Sequence, residues 1–493
     1  MIGRYGRVIM QLVKLSRRSA LSGAAALGAV GISGIGVGRA AAQTAAPSGG
    51  AGTLPARAHV VIRGAYVMTM DKAGDIRNGD VHVRDGAIVA VGEKLDAPGA
   101  SEIDGRGTIV LPGLVETHWH MWNTLLRSLS GDKPERGYFR TTATLGQKYE
   151  PDDMYQGTRL AAAEAINSGI THVHSWCHNI RSAEYAEADI RALRESGLRA
   201  RFSYGPRQGQ PNSEVMNLRD LERLKADWQS HSNGGLISLG MAWRGQGGNN
   251  PATAIPESVW KAELEAGRAL GLPISVHASG SRAVAGQIDA IDKANLLGKD
   301  MQLIHVAFAS DAAIQAVAKA GACVSLSPFS EMRIGFGLPK VTEFLTAGVP
   351  IGLSVDTVEL TGNADMFGIM KLLQNVENGK SENEFKLGAR QVLELGTIGG
   401  ARSMGLADIT GSLVPGKRAD LIVVSTRDVN LGVFGDPAHM LVTAAQPANV
   451  DTVMVDGRIL KRDGKLTVFN ARQVAEEAGA ASAALRRRAD WPI

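Results

Sequence analysis

Cysteine is almost absent from this chain, which has only Cys177 and Cys323 among its 493 residues. A single disulfide between them is possible, but nothing in the sequence requires one. The fold therefore does not depend on a disulfide framework of the kind found in small secreted proteins.

Long apolar runs and basic stripes are missing as well. A mildly apolar Ala/Gly run near the N-terminus is too short and too glycine-rich for a transmembrane helix, so stable membrane insertion is not expected. The net charge is +4, and much of the basic excess lies at the two chain ends. No basic stripe alternates with aromatic residues, so the sequence does not support nucleic-acid binding. A hydrophobic content of 44% and a charged content of 21% are ordinary for a soluble globular enzyme.

The first 44 residues have the features of an export signal. The paired arginines of SRRSAL, residues 16–21, precede the weakly apolar run, and RAAA at 39–42 offers a small-residue cleavage site. This arrangement resembles a twin-arginine signal and predicts export by the Tat machinery to the periplasm. An uncleaved signal anchor is the alternative, and either Met1 or Met10 can be the true start.

The chain then divides by its patterning. Residues 45–57 are rich in Gly, Ala, Pro and Ser and are interpreted as a linker. Short alternating segments fill residues 58–112 and recur in residues 408–470, so the two flanks predict one β-sandwich built from both. Residues 471–493 are predicted to form a C-terminal helix and tail.

Between the flanks, residues 113–407 repeat a pattern of strand, loop and helix, and many of the helices end at glycine. The strand candidates are residues 108–114, 171–176, 200–204, 236–242, 273–277, 301–305, 323–327 and 351–355. Eight strands that alternate with helices predict an α/β fold, a (β/α)8 TIM-type barrel inserted into the β-sandwich. The active site of such a barrel lies at the C-terminal ends of its strands.

Histidine and aspartate occur at four of those predicted ends. His118 and His120 follow the first strand as a His-x-His pair, whose alternate residues point to one face. His277, His305 and Asp356 end the fifth, sixth and eighth strands. One such histidine is usually structural, but coincidence at four strand ends favours a metal site. Three imidazoles and one carboxylate suit zinc, with iron or manganese as alternatives.

Several motifs resemble the amidohydrolase superfamily, in particular the branch of triazine chlorohydrolases and cytosine, guanine and related deaminases. They are LPGLVETHWH (111–120), VH (276–277), LIH (303–305), SLSP (325–328), AGVPIGLSVD (347–356) and GSLVPGKRADL (411–421). The resemblance implies metal ligation by His118, His120, His277 and Asp356, and contact of His305 with the substrate or the attacking water.

The implied chemistry is attack by activated water. The ion lowers the pKa of water, Asp356 can act as general base, and His305 can polarise the scissile group or stabilise an oxyanion. No lysine ends a candidate barrel strand in the position of a bridging carbamylated residue, so one divalent ion is favoured over two.

One position departs from the family pattern. Many deaminases of this branch have Glu three residues after the fifth-strand histidine, and this chain has Gly280. Hydrolysis of an amide, urea, carbamate or cyclic amide is therefore the leading hypothesis. Glu331 could replace the missing acid, although pairing with Arg333 is the more ordinary interpretation, and Glu359 is a weaker candidate. The alternatives are an aminoheterocycle deaminase or dechlorinase, and a non-catalytic periplasmic binding protein.

Other side chains near predicted strand ends are candidates for a small-molecule pocket or for simple packing. They are Trp122, His174, Trp176, Arg207, Trp243 and Phe329. The sequence names neither the substrate nor the oligomeric state; relatives in this family are often dimers or larger, so a homo-oligomer is possible.

Overall fold

The computed structural model describes residues 54–248 and 253–492. The predicted signal peptide and most of the predicted linker lie outside these residues. Among the residues described, no helix combines the length and the apolar character needed to cross a bilayer. Cys177 and Cys323 are both free thiols, so the disulfide that the sequence allowed is not formed.

The fold contains strands in two sheets and helices between them. The strands are β1 (Val60–Met68), β2 (Asp75–Arg84), β3 (Ala87–Gly92), β4 (Ser101–Asp104), β5 (Thr108–Pro112), β6 (Leu114–Val115), β7 (Ile170–Cys177), β8 (Arg199–Tyr204), β9 (Ile237–Trp243), β10 (Ile274–Ala278), β11 (Met301–His305), β12 (Cys323–Leu326), β13 (Ile351–Leu353), β14 (Leu421–Ser425), β15 (Val450–Val455), β16 (Arg458–Arg462) and β17 (Lys465–Leu466). The α-helices are α1 (Tyr138–Gly146), α2 (Pro151–Asn167), α3 (Ala183–Ser196), α4 (Leu218–Ala226), α5 (Trp228–His231), α6 (Glu257–Ala269), α7 (Gln287–Lys293), α8 (Asp311–Ala320), α9 (Pro328–Arg333), α10 (Val341–Thr346), α11 (Val358–Thr361), α12 (Met366–Lys380), α13 (Ala389–Glu394), α14 (Gly400–Ser403), α15 (Pro437–Thr443) and α16 (Ala471–Arg488). Single 3-10 turns cover Met121–Leu126, Pro134–Arg136, Arg282–Val284 and Pro447–Asn449, and a π-helical turn covers Leu395–Gly399.

The first sheet joins the two flanks of the chain. Its order is β17-β16-β15-β14-β5-β1-β2-β3, with β4 also paired to β1. The two flanks meet where β5 and β14 run antiparallel, from the pair Thr108–Ser425 to the pair Pro112–Leu421. Its apolar side chains form a small core separate from the barrel, with members from both flanks such as Val110 and Met454. The predicted β-sandwich built from both flanks is confirmed as a β-domain to which both flanks contribute, and its strands form one mixed sheet.

The second sheet is the barrel. Strands β6 to β13 lie side by side in chain order and all run parallel. Bridges from Glu116 to Leu353 and from Trp119 to Asp356 close the sheet between its first and last strands. The N–H of Asp356 donates to the carbonyl of His118 at 2.8 Å in this closure. The predicted (β/α)8 barrel is thereby confirmed, and its closure brings the first and eighth strand ends together.

The predicted first barrel strand, residues 108–114, is corrected by the structure. Residues Thr108–Pro112 belong to the outer sheet, and the barrel begins only at Leu114. The change occurs at Gly113, whose N–H donates to Asp420 in the outer sheet, while the next N–H donates to Gly169 at the barrel. A Cβ on Gly113 would lie 2.1 Å from the Thr171 side chain, so only glycine fits. The sequence does not show this change of sheet, because an apolar run indicates that its residues are buried but not which strands they pair with.

Candidate active site

Four side chains meet at the C-terminal mouth of the barrel, and we call His118, His120, His277 and Asp356 the His–Asp cluster. One donor atom of each lies within 4.8 Å of the others. The Nε2 atom of His118 is 3.2 Å from Asp356 Oδ1 and 3.2 Å from His277 Nε2. His120 Nε2 is 3.3 Å from Asp356 Oδ1. Tetrahedral coordination with bonds of about 2.0 Å needs donor atoms about 3.3 Å apart, so this spacing fits one divalent ion.

Three members of the cluster, His118, His277 and Asp356, have the protonation states that metal binding requires. Burial lowers the pKa of His118 to about 3 and that of His277 well below its ordinary value, which leaves both rings neutral. Burial opposes ionisation of Asp356, but hydrogen bonds from the cluster histidines outweigh it and hold that pKa well below the usual range. His120 Nδ1 lies 3.2 Å from the carbonyl of Trp176, a contact that holds the ring with Nε2 facing Asp356. Neutral imidazoles and an ionised carboxylate are the ligand forms of these side chains.

Glu116 organises the backbone beneath the cluster and was missed by the sequence argument. Its carboxylate is fully buried and accepts the N–H of His118 at 2.7 Å, of His174 at 3.0 Å and of Val355 at 3.3 Å. It therefore ties together the first, second and eighth strands at the level of the cluster. Burial raises its pKa to about 8. The available signal was a charged residue inside the otherwise uncharged LPGLVETHWH run.

His305 and Glu331 form a buried pair beside the cluster. The His305 ring lies 5.3 Å from the His277 ring, and its Nδ1 is 3.4 Å from Glu331 Oε1. Glu331 is fully buried and also accepts the N–H of Ser327 at 2.7 Å. Burial lowers the pKa of His305, but its hydrogen bond to Glu331 outweighs this effect and the pKa is raised. Arg333 pairs with Asp132 at 3.1 Å, so the interpretation that it pairs with Glu331 is wrong.

Backbone strain marks the same strand ends. His305, Val306 and Asp356 have φ values of 74°, 49° and 62°, in the left-handed region that residues other than glycine rarely adopt. Strained residues persist where the surrounding structure over-determines them, which is common at functional sites. Here two of the three are predicted catalytic residues.

One predicted pocket aromatic, Trp176, borders the cluster, and a second, Trp122, is linked to it through a histidine. The Trp176 ring lies 4.3 Å from the His277 ring and 5.2 Å from the His120 ring. Trp122 reaches the site through His178, whose Nδ1 accepts its indole N–H at 3.3 Å. The His178 ring lies 4.2 Å from the ring of His120, so His178 is also a residue of the site.

Other predicted pocket residues have different partners. His174 is fully buried, and its ring nitrogens lie 2.8 Å from Thr117 O and 2.7 Å from Ser203 Oγ, so neither is free for a substrate. Trp243 donates its indole N–H to the carbonyl of Trp260 on α6 and packs against that helix. Arg207 pairs with Glu214 at 3.0 Å. Phe329 lies on α9, where it is 37% exposed.

Glu359 links two loops at the mouth. It follows the eighth strand and is 7% exposed, and its carboxylate accepts the Thr142 hydroxyl at 2.8 Å and also the Ser130 hydroxyl. These hydroxyls belong to the segment after the first strand, so Glu359 fixes that segment over the mouth. Burial raises its pKa to about 8, so it is protonated at neutral pH.

A closed parallel barrel with a His–Asp cluster at its mouth defines a class of metal-binding hydrolases. Residues 109–460 match the model of the amidohydrolase family, and the chain belongs to that family. It is a hydrolase that acts on carbon–nitrogen bonds other than peptide bonds.

Curated relatives align over nearly their whole length. The chain is 31% identical to a 5'-deoxyadenosine deaminase of Methanosarcina acetivorans, over 88% of this chain and 100% of that protein. It is 30% identical to a 5-methylthioadenosine/S-adenosylhomocysteine deaminase of Pelotomaculum thermopropionicum, over 85% of this chain and 97% of that protein.

Solved structures share the fold. An adenosine deaminase of Xanthomonas campestris with bound zinc superposes with a TM-score of 0.76 at 21% identity, covering 88% of this chain and 100% of that one. An atrazine chlorohydrolase of Arthrobacter aurescens complexed with zinc superposes with a TM-score of 0.74 at 22% identity, covering 86% and 100%.

Proposed function

We propose that this chain is a zinc-dependent hydrolase that uses one ion held by His118, His120, His277 and Asp356. The observation that carries the proposal is the spacing of the donor atoms in the His–Asp cluster, 3.2–3.3 Å between neighbours, which suits tetrahedral coordination. When bound, such an ion supplies Lewis acidity and a water of lowered pKa.

The chain's own residues handle the protons. Asp356 is ionised and can accept a proton from the attacking water. His305, held by Glu331, can donate from its other ring nitrogen to an oxyanion or to a departing nitrogen. Glu331 is thus a positioning residue that fixes the orientation of His305 and favours its protonated form.

For the substrate we favour a small amide, urea, carbamate or cyclic amide. Such a substrate offers a carbonyl oxygen to the ion and needs no separate acid for a ring nitrogen, and Gly280 provides no acid. Deamination of an aminoheterocycle is the second candidate. It is favoured by whole-length similarity to deaminases of adenosine derivatives, and the His305–Glu331 pair would then have to protonate the ring.

A substrate panel tests these alternatives with the zinc-loaded protein. Amides, ureas and carbamates are assayed for amine or acid release, and aminopurines and related heterocycles for ammonia. We expect turnover in the first set, abolished in Asp356→Asn. Ammonia release from the heterocycles, with no turnover of the amides, ureas and carbamates, would establish the second candidate. Folded, zinc-loaded protein that turns over neither set would refute a catalytic role.

We also propose that residues 1–44 direct export to the periplasm by the Tat machinery, on the strength of the SRRSAL pattern. Cell fractionation should find the protein in the periplasm, shortened at its N-terminus. Replacing both Arg17 and Arg18 by lysine should retain it in the cytoplasm. Unchanged export of that variant would contradict a twin-arginine route.

A further inference from the structure

The space beside Gly280 is filled by an aromatic ring. A Cβ at this position would lie 3.2 Å from Cε2 of Phe336 and 3.3 Å from Cβ of His305. Both approaches are closer than side-chain carbons normally come. The ring of Phe336 therefore occupies the volume into which a side chain at position 280 would project, next to a candidate catalytic histidine.

Phe336 is part of a larger apolar surface. Its ring lies 5.4 Å from the His305 ring on one side and 6.2 Å from the Phe139 ring on another. A Cβ on the next residue, Gly337, would lie 3.5 Å from the Phe308 ring, so Phe308 lies beside this surface. We call Phe139, Phe308 and Phe336 the aromatic wall. Each follows a different barrel strand, the first, sixth and seventh, so the wall lies among the loops at the mouth.

The outer part of this surface faces solvent. Phe139 is 63% exposed, and Leu338, beside the wall in sequence, is 48% exposed. Burying a large apolar side chain is favourable by about 1.5–3 kcal/mol, so a ligand that covers Phe139 at the site mouth would gain binding free energy. Rings provide a broad apolar surface with no hydrogen-bonding group, so they favour an apolar group that lies against their faces or edges.

We propose that the aromatic wall binds an apolar arm of the substrate, an aliphatic acyl chain or an aryl group attached next to the scissile C–N bond. The wall begins at Phe336, beside His305 in the site, and runs outward to Phe139, so an arm of several carbons can follow it from the reacting atoms to the rim. This proposal rests on the proposed hydrolase function and specifies the substrate class within it.

A hydroxamate series tests the proposal by binding and not by turnover. Acetohydroxamate, butyrohydroxamate, hexanohydroxamate and octanohydroxamate are titrated by calorimetry into the zinc-loaded protein. Their shared head chelates the ion, and only the arm differs. A methylene fully buried contributes about 0.8 kcal/mol, and a one-sided wall covers roughly half of it, so affinity should rise about twofold per methylene and roughly 60-fold from two carbons to eight.

Variants of the wall locate the effect. Phe139→Ala and Phe336→Ala should each reduce the ratio of octanohydroxamate to acetohydroxamate affinity to below about tenfold, with acetohydroxamate affinity measured in each variant as its own reference. Phe139 is solvent-exposed, so its loss should not prevent folding. Phe385→Ala is the matched control, since Phe385 is a phenylalanine that is 82% exposed between α12 and α13, and its ratio should equal that of the wild type.

The outcomes distinguish a failure of the apolar-arm proposal from a failure of the proposed hydrolase function. Tight binding of all four compounds with equal affinity would overturn the apolar arm and leave the metal site standing. An unchanged affinity ratio in both wall variants would also overturn the apolar arm. A Phe139→Ala variant that differs from the wild type only in sedimenting as a smaller species would do the same, because the wall would then be a subunit interface. Failure of every hydroxamate to bind zinc-loaded protein would overturn both proposals.

Discussion

The substitution Glu331→Gln tests the pairing beside the His–Asp cluster. Glutamine keeps the shape and can still accept the N–H of Ser327, but it removes the negative charge 3.4 Å from His305 Nδ1. Hydrogen bonds to charged groups contribute about 1.5–3 kcal/mol net. At 3.4 Å this bond is longer than the usual charge-assisted distance, so the lower end applies. That figure corresponds to roughly a tenfold loss in kcat/KM.

The variant should also change the pH profile. Glu331 raises the pKa of His305, so its removal should lower that pKa and move the alkaline limb of kcat/KM to lower pH. The assay measures kcat/KM from about pH 5 to about pH 9 with the best substrate of the panel. Arg333→Gln is the control, because Arg333 pairs with Asp132 and should retain wild-type behaviour. A Glu331→Gln enzyme with an unshifted limb and full activity would refute the positioning role.

Three further predictions concern stability. Native Glu359 keeps its proton up to about pH 8, whereas the unfolded side chain loses it near its ordinary value of 4.5, so stability should fall as pH rises between these values. In denaturant unfolding, the free energy of unfolding of Glu359→Gln should fall with pH less steeply than that of the wild type, by up to about 1.4 kcal/mol per pH unit. An equal pH dependence in the two proteins would contradict the assigned pKa. Gly113→Ala forces a Cβ to within 2.1 Å of Thr171 and should cost at least about 1–3 kcal/mol in the same assay, whereas Gly435→Ala, with nothing within 4 Å, should change stability by under about 0.5 kcal/mol. Chelation should lower the melting temperature of the wild type but not of His277→Ala, and equal shifts would argue against this metal site.

The sequence predicted the architecture because the periodic signals were strong. Eight apolar strand segments set the barrel, and strand ends in parallel sheets meet at one face, so His277 and Asp356 could be placed together despite their separation along the chain. The pattern could not show that the run through Pro112 and Gly113 changes sheets, since burial is the same on both sides of Gly113.

The sequence also did not show how deep in the barrel each inward-facing side chain lies. His174 and Trp176 occupy the same face of β7, two residues or roughly 6.6 Å apart along the strand. Trp176 reaches the His–Asp cluster, while His174 lies deeper with both ring nitrogens satisfied. The alternation of residues along a strand predicts which face a side chain lies on, but not how far along the barrel axis it lies.

Loop residues were the hardest to predict. Phe336 fills the space beside Gly280, and Glu359 fixes a segment that follows a strand far away in sequence. Neither position belongs to a repeating pattern, because loop conformation depends on contacts between segments that sequence spacing does not encode. Glu116 was missed for a related reason, since a buried carboxylate is recognised only when the N–H groups around it are known.

Anomalous diffraction at the zinc edge, from crystals of the purified protein, tests the central claim most directly. We expect one peak per chain, about 2.0–2.2 Å from Nε2 of His118, His120 and His277 and from a carboxylate oxygen of Asp356. A second peak at the mouth, a peak bound by other residues, or fully zinc-loaded protein with no peak at these four side chains would contradict the account.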